Sequence, residues 1–380
     1  MSLRLSSALA TLFLLSFSVS YAATMPTPAA PIIGAKSYLV IDSKTGHEIA
    51  SLDADAALAP ASLTKIMTTY VVFSALKQGQ ITLDEEVTIS EKAWRTEGSR
   101  MFIEVGTRVT VEDLVLGMIV QSGNDASVAL AEHIAGSESV FAEMMNQHAA
   151  ALGMYSSHFR NATGLPAENH VTTARDLATL ARAIIEEFPE YYKWHAMKEF
   201  TYNNIKQSNR NSLLWRDDSV DGLKTGHTKA AGYCLVASAE RDGMRIISVV
   251  LGTSSTKSRA DGSQALVNYG FRFFETRLLF KAGEEISIAR VWKSANEFSR
   301  LGVLEDLYVT VRRGSYDALE SKLNIPSIVT APIAAGQPVA ELVISLDDED
   351  ILKAPLRALD DNPEGSFWQR TKDSVSLWFE

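Results

Sequence analysis

The sequence predicts an α+β domain, with helices packed on an antiparallel sheet, followed by a small all-β sandwich. Three observations carry that prediction. Runs with strand character stand at the two ends of the first domain, over 36–51 and 220–252. Between them the apolar residues recur at helical spacing. After Ala282-Gly283 the chain changes to short apolar runs at close spacing, punctuated by Gly314, Pro326, Pro332, Gly336 and Pro338. Strands, then helices, then strands with a closing helix is the order expected of helices laid on one antiparallel sheet.

Taken in order, the chain opens on Met1-Ser2-Leu3-Arg4, a short basic start, and an apolar run over 8–19. Ser20-Tyr21-Ala22 places small residues where a signal peptidase reads, so 1–22 is expected to be a secretory signal. A permanent membrane helix needs about 20 apolar residues. This run is shorter and is followed by a proline-containing leader, Thr24-Met25-Pro26-Thr27-Pro28. The first domain is expected over 31–281. Strands at 36–42 and 47–51 flank the turn Lys44-Thr45-Gly46. An apolar helix follows Pro60 and Ser62. Glu97-Gly98-Ser99-Arg100 is expected in a loop. Thr110 caps a helix that ends in Ser122-Gly123-Asn124, and a second helix follows at once over 125–135. Amphipathic helices are expected at 141–152 and 173–188. Asp242-Gly243 joins strands 233–240 and 244–252 as a hairpin, and 265–280 is expected to be the closing helix.

The second domain, 286–360, has apolar runs at 286–291, 307–311, 327–330 and 339–344, and no catalytic constellation. The segment 364–380 places Phe367, Trp368, Thr371, Val375, Trp378 and Phe379 on one arc of a helix. It is too short and too polar to span a bilayer. Aromatics on one face and charge on the other fit a helix lying in the headgroup layer of the inner membrane.

Composition excludes several classes. The chain has 380 residues, 46% hydrophobic and 22% charged, which leaves room for two globular domains. A net charge of -10 argues against a nucleic-acid partner. The single cysteine, Cys234, cannot form an internal disulfide and lies in an apolar strand, where it packs. His47, His133, His148, His158, His170 and His195 have no metal-ligand spacing. No metal and no cofactor are expected.

Three separated motifs carry chemistry. Ser62-x-x-Lys65 opens the apolar helix, so the amine stands one turn from the hydroxyl. A serine needs an adjacent base, and a buried lysine can lose its proton near neutral pH. Ser122-Gly123-Asn124 lies at the break between two helices. Lys224-Thr225-Gly226 lies on a strand before a hairpin. This trio, in this order and context, resembles the penicillin-binding proteins and serine β-lactamases. His227 follows directly, and the run from Lys224 to Thr228 with Ala231-Gly232-Tyr233 resembles the low-molecular-mass D-alanyl-D-alanine carboxypeptidases. Arg259 matches a basic residue of that family. The β domain and the amphipathic tail match too, so the resemblance covers nearly the whole mature chain.

The resemblance implies the penicillin-binding transpeptidase-like fold. It also implies a periplasmic enzyme that removes the terminal D-alanine from peptidoglycan pentapeptide stems and is acylated by β-lactams. Ser62 is then the nucleophile, Lys65 the base and Ser122 the proton shuttle. Asn124 holds the substrate amide. Backbone N–H groups of Ser62 and His227 meet the oxyanion, Lys224 adds positive field, and Thr225 and Arg259 receive the terminal carboxylate, with Gly226 on the same strand. The middle motif has glycine where class A β-lactamases carry aspartate, and Glu168 is the only acid near the stretch where their deacylating base stands. It is expected to be a surface residue. A penicillin-sensing or cell-wall-binding module with little turnover is the alternative, and endopeptidase or weak β-lactamase action stays open within the enzyme reading.

Overall fold

The structure is a computed structural model that describes residues 28–378. The expected signal at 1–22 lies outside the described residues, as do Phe379 and Glu380 of the tail. The first domain begins with the hairpin β1 (Ser37–Asp42) and β2 (Glu48–Leu52). A 3-10 turn at Ala61–Leu63 leads into α1 (Thr64–Lys77). Short elements follow: β3 (Glu86–Thr88), α2 (Glu91–Arg95), β4 (Arg108–Thr110) and α3 (Val111–Leu116). Then come α4 (Asn124–Ala135), α5 (Glu138–Ala151), α6 (Ala174–Glu187) and α7 (Pro189–Tyr192). The hairpin β5 (Glu199–Tyr202) and β6 (Ile205–Ser208) precedes α8 (Leu213–Arg216). Three long strands, β7 (Val220–Thr228), β8 (Gly232–Arg241) and β9 (Met244–Thr253), lead into α9 (Thr256–Phe273).

The main sheet is antiparallel with order β2-β1-β9-β8-β7, so β7 is an edge. Its strands bury both faces by alternation. Leu39, Ile41, Val236, Ile247 and Val249 face a core shared with α1 and α6. Tyr38, Val40, Leu235, Ile246 and Val250 face the opposite core, closed by Leu266 and Val267 of α9. Helix α1 is buried nearly all round, as its apolar sequence requires. The expected caps are in place: the Thr110 hydroxyl accepts from the Asp113 N–H, and the Thr173 hydroxyl from the Asp176 N–H.

One expected element is corrected. The closing helix begins at Thr256, where the Ser255 hydroxyl accepts from the Ser258 N–H, and it ends at Phe273. Residues 274–280 form strand β10 (Phe274–Phe280). The reason is visible in the residues. Residues 274–280 are rich in β-branched, aromatic and aliphatic side chains and pair along their length with β13, so tertiary pairing ends the helix where the apolar spacing alone would continue it. The helix's own first half buries small and polar groups, Arg259, Gly262 and Ser263, which carry no apolar signal.

The second domain adds β11 (Glu285–Arg290), β12 (Phe298–Gly302), β13 (Leu307–Arg312), β14 (Glu320–Asn324), β15 (Pro338–Leu346) and β16 (Glu349–Ala358). One sheet has order β11-β12-β16-β15-β14, and β10 pairs with β13. Leu301, Leu342, Ile344 and Leu356 form its core, with Leu279, Phe280 and Leu307 packed against them. The expected strand at 327–330 is also corrected: Thr330 makes a single bridge to Trp292 and no strand forms. The two domains meet at the β1–β2 turn, where Thr45, Thr276, Thr310 and Asp42 share hydroxyl and carboxylate hydrogen bonds. Helix α10 (Phe367–Ser376) follows the β domain.

Candidate active site

The start of α1, the edge strand β7 and the loops at 97–100, 163–165 and 210–212 enclose a cleft of about 620 Å³. Ser62 stands at its wall on the 3-10 turn, half-buried. The residue before it, Ala61, has φ of +48°, a left-handed conformation that costs an alanine roughly 1 kcal/mol or more and that the packing around it must hold. Gly164 shows how tight that packing is. Its φ is +82°, and a Cβ there would fall 1.8 Å from the Ala61 carbonyl oxygen. On the other side β7 passes the same turn. A Cβ at Gly226 would meet Leu63 Cγ at 3.1 Å and the Pro60 carbonyl at 3.2 Å. The turn that carries Ser62 is thus clamped between two glycines.

Lys65 lies one helical turn deeper and is 1% exposed. Its Nζ is 3.3 Å from Ser62 Oγ and 2.6 Å from both Asn124 Oδ1 and the Thr163 carbonyl. Burial, and next the positive field of Arg210, bring its pKa down to about 7, while the Asp125 carboxylate pulls the other way. A neutral amine has two N–H groups and one lone pair. The two carbonyl oxygens take the two N–H groups, which leaves the lone pair for the Ser62 hydroxyl.

Ser122 is 3% exposed and sits in the left-handed conformation, φ +67°, where the helix ending at Gln121 breaks before α4. Lys224 reaches it from β7, with Nζ 2.9 Å from Ser122 Oγ and 3.0 Å from the Thr225 carbonyl. Burial holds the Lys224 pKa well below the ordinary value, helped by the charges of Lys65, Arg210 and Arg259. Asn124 opens α4 and bridges the site: its Oδ1 accepts from Lys65, and its Nδ2 donates to the Glu97 carbonyl at 2.6 Å.

Thr225 and His227 line the cleft from β7, and the His227 ring stacks on Tyr233 with centroids 4.0 Å apart. Gly226 packs on the Ser62 turn and its carbonyl faces the Arg259 Nη1 at 3.4 Å. Arg259, on α9, is 7% exposed and also lines the cleft. Among the described residues neither Arg259 nor Arg210 has a carboxylate partner, although Arg259 lies over the Tyr233 ring. A nearly buried guanidinium without a counter-ion is a ready site for a substrate carboxylate. Seven of the nine residues singled out in the sequence therefore line one cleft, and the other two, Lys65 and Lys224, stand behind it against Ser62 and Ser122. Glu168 is exposed on its loop. Cys234 is buried in β8.

Sequence reasoning missed Thr163, Gly164, Asp125 and Arg210. Thr163-Gly164-Leu165-Pro166 is a turn signal that marks a close backbone approach without saying to what. Asp125 reads as an ordinary first-turn acid at a helix start, which hides its buried role. Arg210 carries no signal.

Helices on both faces of an antiparallel sheet, with a Ser–Lys helix start facing a Lys-Thr-Gly edge strand, define the penicillin-binding class of serine enzymes. Residues 24–255 match the D-alanyl-D-alanine carboxypeptidase family of the S11 peptidases. Residues 274–364 match the C-terminal domain of penicillin-binding protein 5. The chain is 41% identical over 360 residues to D-alanyl-D-alanine carboxypeptidase DacA of Escherichia coli strain K12, covering 93% of this chain and 89% of that one. Penicillin-binding protein 5 from Haemophilus influenzae superposes with a TM-score of 0.86 at 42% identity, covering 89% of this chain and 100% of that one. Penicillin-binding protein D2 from Listeria monocytogenes, in its ampicillin-bound form, superposes with a TM-score of 0.60 at 30% identity, covering 64% of this chain and 100% of that one. The chain belongs to the D-alanyl-D-alanine carboxypeptidase family of penicillin-binding serine peptidases.

Proposed function

We propose that the chain carries out its family's reaction, removal of the terminal D-alanine from peptidoglycan pentapeptide stems, with Ser62 as nucleophile and Lys65 as base. The observation that carries this reading is the buried amine of Lys65, 3.3 Å from Ser62 Oγ and with its pKa near 7. Neutral Lys65 takes the Ser62 proton as Oγ attacks the carbonyl between the two D-alanines. The C–N bond breaks, the leaving amine takes a proton through Ser122, and an acyl-enzyme remains for water to hydrolyse. Backbone N–H groups of Ser62 and His227 stabilise the oxyanion. Asn124 binds the peptide amide. Lys224 holds Ser122 and adds positive field. Thr225 and Arg259 bind the terminal carboxylate, which restricts the enzyme to the chain end. β-Lactams present a carboxylate and a reactive carbonyl to the same groups and acylate Ser62. Incubation with a D-Ala-D-Ala pentapeptide should yield a tetrapeptide and free alanine by mass. Covalent penicillin labelling without alanine release would replace this reading by the sensor.

The protein acts in the periplasm, exported by its N-terminal signal, and α10 holds it on the inner membrane. No described helix is long and apolar enough to cross a membrane. Phe367, Trp368 and Trp378 are 67%, 80% and 87% exposed, so their face does not pack back on the β domain. The polar side does: Asp373 accepts from the Lys293 N–H at 2.6 Å, and the Gly365 N–H donates to the Lys293 carbonyl. That contact turns the aromatic face outward, as binding in the headgroup layer requires.

A further inference from the structure

Asp125 directly follows the Ser122-Gly123-Asn124 motif and is 1% exposed. Its carboxylate accepts the backbone N–H groups of Met101 at 3.0 Å, Phe102 at 3.0 Å and Ile103 at 3.4 Å, and also that of Ala126 at 2.9 Å. Three successive loop amides converging on one carboxylate form an anion nest, and Phe102 supplies the left-handed residue, φ +70°, that such a concavity needs. Gly123 makes the approach possible. A Cβ there would fall 2.9 Å from Asp125 Oδ1 and 3.2 Å from the Met101 nitrogen. The loop held in this way returns two contacts to the motif. The Glu97 carbonyl accepts from Asn124 Nδ2 at 2.6 Å, and the Ser99 carbonyl accepts from the Asn124 N–H at 2.7 Å. Asn124 Oδ1 in turn accepts from Lys65 at 2.6 Å.

We infer that Asp125 is a positioning residue for the reaction: its nest holds the 97–103 loop so that Asn124 is aimed at Lys65. The catalytic lysine is thereby linked to a carboxylate that touches neither substrate nor nucleophile. The inference rests on the proposed roles of Ser62 and Lys65.

Asp125→Asn keeps the size of the side chain but puts an N–H donor or a single acceptor oxygen against a ring of N–H groups. A displacement of about 1 Å in a catalytic group costs on the order of 10²-fold. The second-order rate of penicillin acylation is expected to fall about 10- to 100-fold, with the label still on Ser62. A cycle with Asn124→Ala then separates positioning from plain stability. If Asp125 acts through Asn124, the alanine substitution costs far less in the Asp125→Asn enzyme than in wild type. Equal costs in both backgrounds, or acylation by Asp125→Asn at the wild-type rate, overturn the inference. Labelling that persists in Ser62→Ala overturns the underlying reading instead. Amide exchange on the wild-type enzyme tests the nest even if the variant does not fold. Phe102 is half exposed, yet its N–H and that of Met101 should exchange far more slowly than that of Val105 in the same loop. Exchange at the same rate as Val105 overturns the nest.

Discussion

Two serine–lysine pairs stand at the cleft, one within the helical wall and one bridging the helical and strand walls. On the helical wall Ser62 and Lys65 are three residues apart, half-buried and buried, with 3.3 Å between them. Between the helical and strand walls Ser122, at the break before α4, and Lys224, on β7, are 102 residues apart, both buried, with 2.9 Å between them. The chemistry of the side chains is the same, and the surroundings assign the roles. Lys65 has its two N–H positions taken by Asn124 and Thr163, so its free valence faces a serine that opens on the cleft. Lys224 is held to Ser122 and to the Thr225 carbonyl, and burial, with the charges of Arg210 and Arg259, disfavours its ammonium form. Its contact with Ser122 suits the proposed proton relay, and the open direction of Lys65 toward Ser62 suits the proposed base.

Alanine substitution of the two serines should break the symmetry most sharply. Ser62→Ala is expected to abolish covalent penicillin labelling in a folded protein, while Ser122→Ala keeps the label and acylates about 10²-fold more slowly. Labelling of the Ser62→Ala protein, measured by mass, would exchange the two roles. Arginine substitution of the two lysines comes next. Arginine keeps the charge and cannot give up a proton. Lys65→Arg should lose about 10³- to 10⁴-fold in acylation rate, and Lys224→Arg distinctly less. Equal losses in stopped-flow acylation would mean that both lysines exchange protons.

The carboxylate site sharpens the comparison from outside the two pairs. Arg259→Ala should lower kcat/KM for pentapeptide by about 30- to 150-fold, the value of a buried charge-assisted pair at about 2–3 kcal/mol. On a C-terminally amidated peptide the same variant should differ little from wild type. Equal losses on both substrates would remove Arg259 from carboxylate binding. Deleting 364–380 should move the protein from the membrane pellet to the soluble fraction with activity on soluble pentapeptide intact, since the aromatic face is remote from both walls in sequence and points outward. Pelleting of the truncated protein would end the anchor reading.

A separate effect is on stability. The folded-state pKa of Lys65 is near 7, and its ordinary value is 10.5. Between those values the unfolded chain binds more protons than the folded one, so stability rises with pH across that window. Below the window both states are protonated and the burial penalty is complete. Lys65→Met should therefore show a flatter rise of Tm between pH 7 and about 10 than wild type. Parallel curves by calorimetry would mean that Lys65 is not depressed.

Which of these features the chain discloses by itself follows from distance along it. Ser62 and Lys65 share a face because an α-helix repeats every 3.6 residues, whatever surrounds it. Thr110 and Thr173 cap helices through bonds to residues three positions on. Asp242 and Gly243 turn the β8–β9 hairpin because both take φ above zero. The second pair was legible only as two motifs, and their contact is a product of the fold. The missed groups have the same origin. Gly164 is small because Ala61, 103 residues earlier, lies against it. Asp125 is buried because the amides of 101–103 close over it, and Arg210 matters because it falls within the field of two lysines. The start of α9 was hidden for a related reason: its first turns bury polar groups that only the cleft makes sense of. Local bonding repeats with the backbone and so is written in the spacing of residues. Burial, and with it the lowered pKa of Lys65, depends on how much of the remaining chain closes over a group, which no spacing records.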